Sequence, residues 1–157
     1  MRVVLDTNVL ISGLLSSKGA PGRILDAWRA GGFELIVCDE LIDEFKRVCA
    51  YPKLARYLTV ADVGALINRL RAVGCWLADI PRVQVSKDAD DNFLLAMAQA
   101  SGADYLVTGD HAGLLVIGHI GRTQIVTAAV FVAVIERPTA FDLPFRAPAG
   151  KYSRSSV

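Results

Sequence analysis

Four acidic residues stand where surface charge is not expected: Asp6, Glu44, Asp91 and Asp110. Asp6 ends the apolar run Val3-Val4-Leu5, and Asp110 follows Tyr105-Leu106-Val107-Thr108-Gly109. A short continuous apolar run suits a strand buried on both faces of a parallel sheet. Parallel strands end on one side of their sheet, so acids placed after two of them can face each other across a crevice. Carboxylates gathered there repel. Two unit charges about 4 Å apart cost roughly 4 kcal/mol at an effective dielectric near 20. A hard cation removes that cost, and an all-oxygen site suits Mg²⁺ or Mn²⁺ rather than zinc. Such an ion acidifies a water and stabilises a leaving oxygen, which is the chemistry of phosphodiester hydrolysis. Clustered without an ion, some of the acids are expected to hold protons above their ordinary range. Neutralising Asp91 or Asp110 is then expected to raise the melting temperature of the ion-free protein.

Helical periodicity selects the other two acids. In Asp39 to Ala50 the apolar stripe is Leu41, Phe45, Val48 and Cys49, and of the four acids there Glu44 lies closest to it. The bland alternative is an ordinary boundary charge beside Arg47. Asp91 precedes Leu94, Leu95 and Ala98 by three, four and seven residues, so it projects from the same inward face. One of Asp88, Asp90 and Asp91 is expected to cap that helix; Asp6 also reads as a cap, with Thr7 and Asn8 in a turn.

The elements that must position these residues alternate. A strand at Arg2–Leu5 leads to a helix starting near Val9, a loop over 16–22, and a helix from about Pro21 to Ala30. The second strand is 33–38. Helices follow over 39–50 and 59–73, with Gly74 as a C-terminal cap. A short strand covers 75–77, and a connection containing Pro81 leads to a helix that Asp88-Ala89-Asp90-Asp91 opens and that runs to Gly102. Strands at 104–108 and 124–127 and a helix over about 127–135 close the pattern. This alternation predicts an α/β protein, a three-layer α/β/α sandwich with a central, mainly parallel sheet. Residues 1–137 form the expected domain. Residues 138–157, proline-bearing and then polar, read as an arm or disordered tail.

The bulk numbers exclude little beyond disorder. Of 157 residues 53% are hydrophobic and 21% charged, and net charge is +1, so no overall basic character announces nucleic acid. The longest apolar stretch near the end, 125–135, is too short to span a bilayer, and no membrane association is expected. Asp6 stands where a signal peptide would need apolar residues. Cys38, Cys49 and Cys75 are scattered without a Cys-x-x-Cys, and read as buried thiols of a reduced cytoplasm. Neither a P-loop nor Gly-x-Gly-x-x-Gly follows the first strand. No Ser-His-Asp or Cys-His arrangement competes; His111, beside Asp110, is a substrate contact or a solvated loop residue. A mean hydropathy of +0.39 points to an apolar surplus, hence to a homodimer and a protein partner.

Val3-Val4-Leu5-Asp6-Thr7-Asn8-Val9, Leu41-Ile42-Asp43-Glu44-Phe45, the run Asp88 to Ala98, and Tyr105-Leu106-Val107-Thr108-Gly109-Asp110 together resemble the PIN-domain ribonucleases. The likeness covers about residues 1–136. It is nearest to the bacterial branch that supplies toxins of toxin–antitoxin systems, relatives of VapC. The resemblance implies a metal-dependent endoribonuclease in which Asp6, Glu44, Asp91 and Asp110 hold Mg²⁺ or Mn²⁺. Thr7, Asn8 and Thr108 would support the site by hydrogen bonds, and Asp90 would replace or assist Asp91. The chain departs from the common pattern after Asp110: many relatives carry a further acid two or three residues on, where this chain has Ala112 and Gly113. The implied partners are RNA and a cognate antitoxin. Lys46, Arg47, Lys53 and Arg56, with Lys18 and Arg23, are the candidate phosphate contacts. Competing readings are a PIN-type nuclease for RNA processing or structured DNA, and a catalytically silent interaction module. A phosphatase with Asp6 as nucleophile is disfavoured by Asn8 two positions on.

Overall fold

The computed structural model describes residues 1–137, and the expected arm at 138–157 lies outside them. In chain order the elements are β1 (Arg2–Leu5), α1 (Thr7–Leu15), α2 (Ala20–Arg29), β2 (Glu34–Val37), α3 (Asp39–Cys49), α4 (Pro52–Ala55) and α5 (Val60–Val73). There follow β3 (Cys75–Trp76), α6 (Ala89–Ser101), β4 (Tyr105–Val107), α7 (Leu114–Ile117), β5 (His119–Ile120), β6 (Thr123–Val126) and α8 (Ala128–Ile135). The sheet order is β3-β2-β1-β4-β6-β5, parallel throughout except for β5 against β6. This is the expected mainly parallel sheet with helices packed about it.

Val3, Val4 and Leu5 are fully buried, as their unbroken apolar run requires of a strand with neighbours on both sides. From β1 the chain steps outward to β2 and β3, then returns to lay β4 on the other side of β1, so the connections reverse between β1 and β4. A crevice opens at such a reversal, beyond the carboxyl ends of the strands. The register pairs Leu5 with Val107. The ladder runs one residue further: Asp6 N–H donates to Val107 O (3.0 Å), and Thr108 N–H to Val126 O (3.0 Å). Asp6 and Thr108 are therefore fixed by backbone bonds side by side at the crevice.

The helices carry these ends. α2 packs against both α1 and α8, α3 packs against α1 and α5, and α6 lies on β1 and β4. Phe131 of α8 stacks edge-on against Phe33, ring centres 5.4 Å apart. α1 starts at Thr7, two residues before the expected Val9, because Asp6 serves as its cap. Gly74 does end α5, but with φ −68° rather than in a left-handed turn. Its small size is what matters: a Cβ there would meet Leu70 O and Val37 Cγ2 at 2.4 Å. The short helices α4 and α7 and the strand β5 were not expected from periodicity. Among the described residues no helix is long and apolar enough to cross a membrane. Cys38 and Cys49 are buried and Cys75 is half-buried; burial pushes the Cys38 thiol up to about 12, which leaves it unreactive.

Candidate functional site

Asp6 is both a cap and a crevice residue. One carboxylate oxygen, Oδ1, accepts the Asn8 N–H at 3.4 Å; the other, Oδ2, accepts the Thr108 hydroxyl at 2.8 Å. Thr108 is fully buried, and its Oγ1 also accepts the Asp110 N–H at 3.1 Å. This one hydroxyl thus joins the ends of β1 and β4. Burial pushes the Asp6 carboxyl above its ordinary 3.8; Thr108 and the Asn8 N–H oppose the rise, and the charges of Glu44 and Asp91 add to it. Asn8 itself is exposed, and its support of the site comes through its backbone.

Glu44 is half-buried on α3, between the stripe and solvent. Its Oε2 accepts the Thr7 hydroxyl at 2.6 Å, and Thr7 is buried. Among the described residues no salt bridge joins Glu44 to Arg47, so the boundary-charge alternative loses its expected partner. Thr7 and Thr108 are both hydroxyl donors to acids.

The helix carrying Asp91 separates the three neighbouring acids by role. Asp88 is the cap, its Oδ1 accepting the Asp90 N–H at 2.9 Å. Asp90 is exposed and lines a shallow groove with Glu40, Glu44, Arg47 and Phe93. Asp91 is buried, as its spacing to Leu94 and Leu95 required. Its Oδ2 accepts the Ser86 hydroxyl at 3.1 Å. Ser86 is held by the neighbouring Asn92, whose side chain binds the backbone of Val85 and Ser86. Sequence reading missed both residues. Asn92 lay inside the quoted acid motif, but nothing periodic connects Ser86 in an irregular segment to Asp91.

Asp110 occupies a tight turn into α7. Its Oδ1 accepts the N–H groups of Ala112 (3.2 Å) and Gly113 (3.1 Å), and its Oδ2 accepts that of Leu114 (3.1 Å). The Leu114 and Gly113 N–H groups, then those of Ala112 and the His111 charge, hold its carboxyl below 3.8. This reverses the expectation that clustering raises Asp110. Asp91 behaves as expected: burial pushes it up against the pull of Ser86, with Asp110, Asp88 and Asp90 adding to the rise.

Gly113 shows how near Asp91 and Asp110 are. A Cβ on Gly113 would lie 2.2 Å from Asp110 Oδ2 and 2.6 Å from Asp91 Oδ2. The two oxygens border one small space, and glycine keeps it open. A side chain at 113 has no room in this arrangement.

The four acids do not converge as closely as expected. Among the described residues no three Asp, Glu, His or Cys side chains gather as ligands of one ion. Each acid instead accepts a hydroxyl or N–H from its own surroundings, which lets like charges stay apart. The donor chemistry still fits a hard divalent cation. It is all oxygen, it has an open space between two carboxylates, and no salt bridge among the described residues reaches any of the four. Mg²⁺ keeps several waters and is commonly held by one or two carboxylates together with substrate phosphate, so a cage of three is not required.

The candidate phosphate contacts differ among themselves. Lys46, Arg47, Lys53 and Arg56 are all exposed. Arg47 lines the groove with Glu44 and Asp90 while donating to the Tyr51 hydroxyl at 2.9 Å. Arg56 lies over the Tyr57 ring. Arg23, also expected to meet phosphate, is paired instead with Glu136, the residue that caps the end of α8, whereas Lys18 is exposed. On the other flank, a cleft of about 260 Å³ is bordered by Asn8, Thr108 and His111.

Comparison with known proteins agrees with this fold. The PIN domain family matches residues 2–112. The uncharacterized protein MJ1680 of Methanocaldococcus jannaschii is 31% identical over 111 residues, covering 70% of this chain and 71% of that protein. No solved structure matches.

Proposed function

Because the chain belongs to the PIN-domain family, whose members are generally nucleases, we propose that it is an endoribonuclease hydrolysing RNA phosphodiester bonds with Mg²⁺ or Mn²⁺. The observation that carries the reading is the meeting of Asp91 Oδ2 and Asp110 Oδ2 at the space before Gly113, beside Asp6 and Glu44. Asp91 and Asp110 would hold the ion directly, with Asp6 and Glu44 joining through waters that such an ion retains. When bound, it supplies positive charge that acidifies a water and offsets the charge developing on phosphate. The chain does the rest. Thr108 fixes the direction of Asp6, Thr7 that of Glu44, and the turn N–H groups that of Asp110. Carboxylates held in place this way need no reorganisation as charge develops. Arg47, with Lys46, Lys53 and Arg56 along the same stretch, supplies positive charge for the RNA backbone outside the acid cluster.

We further propose a toxin role in a toxin–antitoxin pair, supported by the resemblance to that branch, with a cognate antitoxin as partner, a homodimer as assembly and the cytoplasm as location. Val60 and Val116, exposed at 91% and 75%, are apolar positions left for such contacts.

The test is cleavage of single-stranded RNA, hairpin RNA and structured DNA with Mg²⁺ or Mn²⁺ and with excess EDTA. RNA cleavage that needs the ion and is lost in Asp6→Asn is the expected result. Undiminished cleavage in EDTA or in Asp6→Asn overturns the site, and a preference for structured DNA overturns the substrate. Growth arrest on expression, relieved by the product of an adjacent reading frame, tests the toxin role.

A further inference from the structure

From Leu77 to Asp88 the chain forms neither strand nor helix, yet one side chain ties it to α6. Asn92 Oδ1 accepts the N–H groups of Val85 (2.9 Å) and Ser86 (2.8 Å), and its Nδ2 donates to Ser86 O (2.8 Å). An amide that accepts twice and donates once to two consecutive residues fixes both the place and the orientation of that dipeptide. Packing alone does not do so, because a groove of about 370 Å³ runs beside the strap, bordered by Pro81, Val83, Asn92 and Phe93. The clamped Ser86 accepts the Asp88 N–H at 3.2 Å and donates its hydroxyl to Asp91 Oδ2 at 3.1 Å. That oxygen is the one that borders the Gly113 space opposite Asp110 Oδ2. The strap therefore aims a hydroxyl dipole at the Asp91 oxygen that shares the Gly113 space with Asp110.

We propose that Asn92 and Ser86 are positioning residues for Asp91: Asn92 fixes the Val85–Ser86 backbone, and Ser86 sets the carboxylate's direction while leaving its other lone pairs for a divalent ion. The inference rests on the metal reading of the acid cluster. Neither residue touches substrate; both act through Asp91. Outer partners that orient a ligating carboxylate are needed for full metal affinity.

Mn²⁺ uptake by the full chain, measured by titration calorimetry without RNA, tests this. Ser86→Ala and Asn92→Ala should each weaken Mn²⁺ by about tenfold. Ser86→Thr, which keeps the hydroxyl, should bind like the wild type. Because the two residues act in series, the double Ala variant should bind no more weakly than Asn92→Ala alone. Ser86→Ala binding as tightly as the wild type, or more tightly, overturns the proposal; tighter binding would make Ser86 a competitor of the ion. If Asn92→Ala does not fold, the pair Ser86→Ala and Ser86→Thr decides. A wild type that takes up no Mn²⁺ overturns the metal reading and this inference together. A wild type that binds Mn²⁺ beside variants that bind equally well overturns this inference alone.

Discussion

Asp110 and Asp91 border the same small space, but their surroundings push them in opposite directions. Asp110 sits in a turn whose own backbone supplies three N–H donors, and its carboxyl is held below 3.8. Asp91 sits on a helix, buried, with one serine hydroxyl as donor and three acids adding to its rise. The turn is a self-contained anion holder that contributes to stability as it stands. The helix side is an incomplete one, ionised at a cost until something positive arrives. Two carboxylates side by side need not share an electrostatic fate, because burial dominates at Asp91 and backbone N–H donors dominate at Asp110.

The largest test of that contrast is one in which it should vanish. Asp91→Asn and Asp110→Asn should both lower RNA cleavage by roughly a thousandfold, the rate equivalent of about 4 kcal/mol. If only one does so, the two acids do not serve one ion. Gly113→Ala should come next. The added Cβ displaces both oxygens, and a displacement on the order of 1 Å can lower a rate by about a hundredfold. Melting should change little, because the displaced atoms are side-chain ends; wild-type cleavage by this variant would show that the space is not used. Thr108→Val removes the hydroxyl shared by Asp6 and the Asp110 N–H. It should cost about 1–3 kcal/mol in denaturant titrations, and an unchanged midpoint would mean that water replaces the hydroxyl.

The smallest effect separates the two acids most clearly. Asp110, depressed, adds stability that is present above 3.8 and is lost as pH falls through its folded value. Asp91, raised, is the reverse: its cost is absent at low pH and grows as pH climbs from 3.8 through its folded value. In EDTA at pH 7, Asp91→Asn should therefore melt above the wild type and Asp110→Asn below it. Scanning calorimetry checks this, and shifts of the same sign in both would undo the comparison.

What the sequence revealed follows the same division. Asp91 was legible because Leu94, Leu95 and Ala98 repeat at helical spacing and one inward acid breaks the pattern. Glu44 was legible from the edge of its stripe, and Asp6 from the apolar run before it. The Asp110 turn was not. Its N–H groups come from Ala112, Gly113 and Leu114, and whether three successive backbone groups point at one carboxylate depends on turn dihedrals that side-chain types hardly encode. The expectation that neutralising Asp110 would stabilise the ion-free protein was corrected there. Ser86 was hidden because irregular segments have no period, and β5 because two residues between Gly118 and Gly121 are too few to show alternation.

The order of the sheet bears on how the molecule meets others. Among the described residues its outer strands, β3 and β5, are two residues each. Such short margins offer few unsatisfied N–H and C=O groups to an incoming strand, so the sheet is a poor template for lengthening by another chain. Bare apolar side chains stand on helix surfaces instead, Val60 on α5 and Val116 on α7.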